Sequence, residues 1–290
     1  MRPPHISDRN SGCKPSTASV RRRRDRGSFR QRIKALKTSG KKPKALLWSS
    51  PTYVTGLMLP IAALANLARE HEMLSICDAA HLLGMVEFDF NALNLDYLVT
   101  SGSKWQAGAN GTGILLMRRG QAAPSMVYKV TGGDQDVASA LSKISSSKLP
   151  TFQALANSCD VYSEIGRSKI SGYTLSLAAY FRKLVASQWG SDRIYGFSET
   201  SELSSGLLTF NPFTNPIDVQ NEGKAREVVA RLRSEHGYTA RVVRFQRDSS
   251  SAVEWPLRVS TPLWLSPPDL DAFVKAAQAV ISTKATSQVF

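Results

Sequence analysis

Residues 76–84 read ICDAAHLLG, residues 95–101 read LDYLVTS, and residues 100–119 read TSGSKWQAGANGTGILLMRR. The first apolar run ends on Asp78, the second ends at Ser101 just ahead of Ser103 and Lys104, and GTGILLMRR predicts a third strand. In an open α/β sheet, ligands sit just beyond strand ends of this kind. The link between the last two strands is too short for a helical crossover and carries Gly108, Gly111 and Gly113, so that pair is expected to be antiparallel.

Working outward, ALLWSS (45–50) predicts a buried strand, SPTYVTG (50–56) a loop, and LPIAALANLAREH (59–71) a helix with Ile61, Leu64, Leu67 and Ala68 at helical spacing and Pro60 in its first turn. Strand and helix therefore alternate, as in a layered α/β domain. Residues 120–150 are polar and irregular. Helical patterns resume at 150–166 and 173–190, as a pair joining the sheet domain to the C-terminal third of the chain. Beyond Gly190, LLTFNP, TARVVRF and LRVSTP predict strands, GKAREVVARLRSEHG an amphipathic helix ended by Gly237, and PPDLDAFVKAAQAVIST a closing helix. The expected organisation is a basic, disordered arm over residues 1–44, a large sheet domain over 45–180 and a small α+β domain over 181–290.

The charge belongs to the arm. Of 37 Lys and Arg residues, 15 fall within residues 1–44 against two acids, Asp8 and Asp25, which leaves 22 bases facing 21 acids in the rest of a chain whose net charge is +14. Nucleic-acid contact is therefore expected, if at all, only through that arm, which is otherwise an inert solvated tail or an organelle transit peptide. Cys13, Cys77 and Cys159 lie far apart without CxxC spacing, so neither a disulfide framework nor a metal site is expected, and a reducing, cytoplasmic setting fits. No uninterrupted apolar run approaches the roughly 20 residues that span a bilayer.

Taken singly, the polar residues at the strand ends have ordinary readings: Asp78 as a turn or helix cap, Lys104 as a solvated cation, Arg258 as a surface ion pair, His81 as a packed histidine, Ser101 and Ser103 as loop hydroxyls. Brought together at neighbouring strand ends, Asp78, Lys104 and the serine hydroxyls suit pyridoxal 5'-phosphate. A lysine amine condenses with the aldehyde, an acid holds the pyridine nitrogen protonated so that the ring accepts electrons, and small hydroxyls take the phosphate.

In order and spacing, TGLMLPI (55–61), DAAHLLG (78–84), SGSKW (101–105), the GTG strand and LRVSTP (257–262) with its closing helix resemble class V aminotransferase-type enzymes of fold type I, a group that includes isopenicillin N epimerase-like proteins and carbon-sulfur lyases. Asp78 and Lys104 stand 26 positions apart. The resemblance covers roughly residues 45–290. It implies a partial three-layer α/β sheet domain with a C-terminal small domain, a homodimer, and an amino-acid substrate. It also implies that Lys104 carries the aldimine and acts as the catalytic base, Asp78 pairs with the pyridine nitrogen, His81 lies near the phenolic oxygen, Ser101 and Ser103 contact phosphate, and Arg258 grips the substrate carboxylate with its planar fork. Ser103 stands where relatives often carry histidine, Tyr53 where many carry asparagine, and Ser145 and Ser146 where a Gly-Thr commonly reaches the partner subunit's phosphate.

Two departures shape the expected chemistry. A cysteine desulfurase needs a nucleophilic cysteine shortly before the RVS strand, and RVVRFQRDSSSAVEWPLRVS has none. Epimerisation, elimination and transamination are the remaining expectations. Relatives also carry a much longer stretch ahead of the ALLWSS equivalent, holding a phosphate-binding loop and a ring-stacking aromatic. The chain is accordingly expected to be a clipped enzyme, one whose missing half a partner supplies, or an inactive remnant serving as a binding or assembly module.

Overall fold

Alternating apolar runs and one amphipathic helix build the first half of the molecule. The computed structural model describes residues 24–119, 149–196 and 203–283. Helix α1 (Arg24–Thr38) precedes strand β1 (Ala45–Ser49), helix α2 (Ile61–Glu70), strand β2 (Leu74–Asp78), a single turn α3 (Phe90–Leu93), strand β3 (Tyr97–Ser101) and strand β4 (Gly113–Met117). These strands form a four-stranded sheet in the order β1-β2-β3-β4. The first three run parallel, and β4 returns antiparallel to β3, with Ser101 opposite Gly113. The tight glycine link produces that reversal, as the sequence leads one to expect.

One face of this sheet is packed. Leu46 and Trp48 of β1, Cys77 of β2 and Leu98 of β3 are buried beneath Ile61, Leu64, Ala65, Leu67 and Ala68 of α2. Parallel strands are usually covered on both faces. Here the alternate residues, Leu47 (66% exposed), Val99 (47%) and Leu115 (37%), face outward.

The disordered arm expected over residues 1–44 is corrected for its second half. Residues 24–38 form α1, whose Ile33 is buried in the same apolar cluster with Phe29 beside it, and Arg30 pairs with Glu70 at 2.5 Å. Phe29 and Ile33 are four residues apart and so share a helix face. The surrounding basic residues conceal this short stripe from a reading of composition.

Helices α4 (Leu149–Ile165) and α5 (Arg167–Trp189) form the expected helix pair. Helix α5 runs unbroken across residues 180 and 181 and sends Leu177, Phe181 and Val185 into the core of the second half. That half contains β5 (Ile194–Tyr195), β6 (Leu207–Phe210), a turn α6 (Pro216–Val219), α7 (Glu222–His236), β7 (Arg241–Val242), β8 (Leu257–Ser260) and α8 (Pro267–Ser282). Its strands form an antiparallel sheet in the order β5-β6-β8-β7. Gly237 closes α7 at φ 74°, the left-handed conformation that glycine adopts without a steric cost. Asp269 accepts from both the backbone and the hydroxyl of Ser266 to start α8.

The loop over residues 52–59 fastens the two halves together. Met58 N–H donates to Leu203 O at 3.0 Å, and the hydroxyls of Ser205 and Thr209 donate to Gly56 O and Val54 O. Gly56 sits so close to β6 that a Cβ there would lie 2.5 Å from Leu207 O. This is why a TG pair opens the motif: a side chain at residue 56 would push β6 away.

Candidate active site

The tips of β2 and β3 lie side by side, with Asp78 opposite Val99. Asp78 leaves β2 on the open side, where Ser49 Oγ donates to its Oδ2 at 3.1 Å and Ala80 N–H to its Oδ1 at 3.1 Å. These bonds orient the carboxylate and leave it lone pairs for a further donor. The chain then turns back through DAAHLLG and brings His81 over the segment after β3. Nε2 of His81 lies 3.3 Å from Nζ of Lys104. Ser101 and Ser103, just ahead of Lys104 in the chain, place their hydroxyls 3.2 Å apart.

Arg258 reaches the same place from the other half of the molecule. Its Nη1 donates to Tyr53 O at 2.6 Å, and its guanidinium lies 4.4 Å from the centre of the Tyr53 ring. These charges act on one another. Burial lowers the Lys104 amine below the usual lysine range, Asp78 opposes that shift and Arg258 adds to it. Burial first, then Lys104 and Arg258, push His81 down to about 4, against the pull of Asp78, so the imidazole is neutral at pH 7. Of the residues named from sequence, Asp78, His81, Lys104 and Arg258 act on one another where the two halves meet, while Ser101 and Ser103 pair with each other just ahead of Lys104 in the chain. Ser145 and Ser146 lie outside the described residues.

Other residues hold this group in place and carry no motif that would have revealed them. Tyr162 on α4 donates its hydroxyl to Trp105 O, and Ser158 donates to Gln106 O. Gln106 is fully buried, donates to Ser158 O at 3.2 Å and accepts from Arg167 Nη1 at 3.2 Å. Helix α4 thus clamps the backbone on the C-terminal side of Lys104. Gly84, at φ 80°, lies against the same backbone, and a Cβ there would come within 2.3 Å of Gln106 N. The DAAHLLG turn can press onto the SGSKWQ segment only with glycine at its end.

These groups match pyridoxal 5'-phosphate chemically: an oriented acid for a pyridine nitrogen, a lysine amine with lowered basicity for an aldehyde, and a cluster of hydroxyls for a phosphate. Fold and site together define a fold-type I pyridoxal-phosphate protein. Residues 22–226, well over half the chain, match the family Aminotransferase class-V, and the chain belongs to that family, whose cofactor is pyridoxal 5'-phosphate. The match begins within the basic arm, in agreement with a folded α1.

Among relatives, the chain is 25% identical over 193 residues to isopenicillin N epimerase of Streptomyces clavuligerus, a stretch covering 61% of this chain and 48% of that one. The fold resembles an alanine-glyoxylate aminotransferase from Nostoc sp., with a TM-score of 0.64 at 17% identity, covering 87% of this chain and 65% of that one. It also resembles the apo structure of a cysteine desulfurase from Thermococcus onnurineus NA1, with a TM-score of 0.66 at 18% identity, covering 89% and 64%. The chain spans about half the length of the epimerase.

Proposed function

We propose that this chain performs pyridoxal-phosphate chemistry at the α-carbon of an amino acid, as a lyase, epimerase or aminotransferase. The observation that carries the reading is the convergence of Asp78 and His81, Lys104, and Arg258 from three separate segments onto one face. When bound, the cofactor supplies an electron sink for charge developing at the α-carbon. Asp78 holds a proton at the pyridine nitrogen. Ser101 and Ser103 would take the phosphate, and His81 would offer a neutral imidazole to the phenolic oxygen. Arg258, held by Tyr53, orients the substrate carboxylate.

Lys104 moves the proton. Burial, with Arg258 adding to it, lowers its basicity and so favours the unprotonated amine, the form in which it can abstract a proton from the α-carbon. Desulfuration does not fit these residues. Cys77 is buried in β2 with its thiol pushed up to about 12 by burial, Cys159 lies on α4, and the described loop 246–254 contains serines and no cysteine. The same reading gives a cytoplasmic homodimer. No helix among the described residues is long and apolar enough to cross a membrane.

Incubation with pyridoxal phosphate followed by borohydride is expected to leave a reduced pyridoxyl adduct on Lys104, mapped by peptide mass spectrometry, and Lys104→Ala is expected to abolish it. A folded protein that carries no adduct on Lys104 would overturn the assignment. Replacing Cys77 and Cys159 by serine is expected to leave the adduct in place.

A further inference from the structure

The imidazole facing Lys104 is itself held from behind. Trp105, the next residue in the chain, donates its indole N–H to Nδ1 of His81 at 3.1 Å. Turning the ring by half a rotation would put carbon where each nitrogen stands and lose both this contact and the one to Lys104, so the two bonds determine its orientation. Trp105 cannot retreat. It is 7% exposed, packs with Met85 and Leu207, and lies so near Gly206 that a Cβ there would come within 2.5 Å of its Cη2. Its backbone carbonyl is also held by the Tyr162 hydroxyl.

The indole is only a donor, so Nδ1 must present its lone pair. A neutral imidazole then carries its one proton on Nε2, the nitrogen 3.3 Å from Nζ of Lys104. An ammonium has no lone pair to receive that N–H, whereas an amine does. We propose that Trp105 is a positioning residue that sets the His81 tautomer, and thereby holds Lys104 as the unprotonated amine that can condense with an aldehyde and release water. The proposal rests on Lys104 being the cofactor lysine and adds what keeps it nucleophilic.

The other charges facing these two groups do not substitute for the indole. Asp78 favours the charged form of both, Arg258 disfavours it in both, and Tyr53 favours it in Lys104. None of them donates to Nδ1 in the structure.

Nitrogen-15 NMR of the imidazoles reads the tautomer directly in the protein without cofactor, and the chain has only four histidines to assign. His81 is expected as the Nε2–H form at pH 7. Replacing Trp105 by phenylalanine, or by 3-benzothienylalanine, which keeps the shape and lacks the N–H, is expected to release the Nδ1–H form. In the same variants, acylation of Lys104 at pH 8 by a small anhydride should slow about tenfold, the equivalent of one unit of amine basicity. In a His81→Phe background the Trp105 substitution should no longer change that rate.

An Nδ1–H tautomer in the unsubstituted protein would overturn the proposal even if no Trp105 variant folded. So would variants whose tautomer and labelling rate are unchanged. A missing pyridoxyl adduct with the Nε2–H tautomer present would instead sink the cofactor reading and leave the hydrogen-bond relay standing.

Discussion

Arg258, on β8, holds Tyr53, in the loop after β1, by two contacts at once: a 2.6 Å bond from Nη1 to the Tyr53 carbonyl and a guanidinium 4.4 Å from the centre of its ring. The residues are 205 positions apart, so this contact ties the small sheet to the strand tips of the large one. Neither contact uses the phenol oxygen. Tyr53→Phe is therefore expected to be nearly silent. Arg258→Ala is expected to lower kcat/KM for an amino-acid substrate by about 100-fold, mostly through KM, which corresponds to about 3 kcal/mol of charge-assisted binding. Steady-state kinetics on the two variants checks both.

Two glycines with similar backbone angles should differ sharply in tolerance. A Cβ on Gly84 (φ 80°) would stand 2.3 Å from the Gln106 backbone, whereas one on Gly111 (φ 84°) would have nothing within 4 Å. Gly111→Ala pays only for the left-handed backbone, about 1 kcal/mol, while Gly84→Ala adds a clash with main chain and is expected to cost more than about 3 kcal/mol or to prevent folding. Urea titration of both variants gives the comparison.

Acid should weaken the fold through His81. Its folded value of about 4 lies below the ordinary 6.5, so between these two pH values the unfolded chain binds a proton that the folded chain refuses. Stability is full above the ordinary value and falls as pH drops through this window, by about 2 kcal/mol once solvent screening is allowed for. Chemical denaturation at pH 7, 5.5 and 4.5 measures the slope (about 1.4 kcal/mol per unit at most for one proton), and His81→Gln is expected to flatten it.

The uneven cover on the large sheet gives a stability contrast. Leu64 is fully buried on α2 and Leu47 is 66% exposed on β1. Leu64→Ala is expected to cost about 3 kcal/mol by leaving a cavity, and Leu47→Ser less than about 1 kcal/mol. Thermal melting distinguishes them.

The strand tips, the antiparallel return of β4 and the helix pair at residues 149–189 were all legible because each is signalled locally, by apolar periodicity or by a glycine link too short for a crossover. Helix α1 was not. Its two apolar contacts, Phe29 and Ile33, are outnumbered by surrounding cations, and only the cluster under α2 gives them something to pack against. Gln106, Ser158, Tyr162 and Arg167 escaped notice for a related reason: each bonds across more than 50 positions or through a backbone carbonyl, and such a bond leaves no spacing to read.

From the sequence alone came the class of chemistry, because an acid and a lysine at the ends of neighbouring strands, in a recurrent order of motifs, are properties of one-dimensional spacing. Tertiary structure alone decided how those groups are tuned. The neutral His81, the Trp105 indole behind it and the Arg258 guanidinium beside it depend on distances of a few ångströms between segments far apart in the chain, and burial, which sets the strength of every charge there, exists only once those segments have packed.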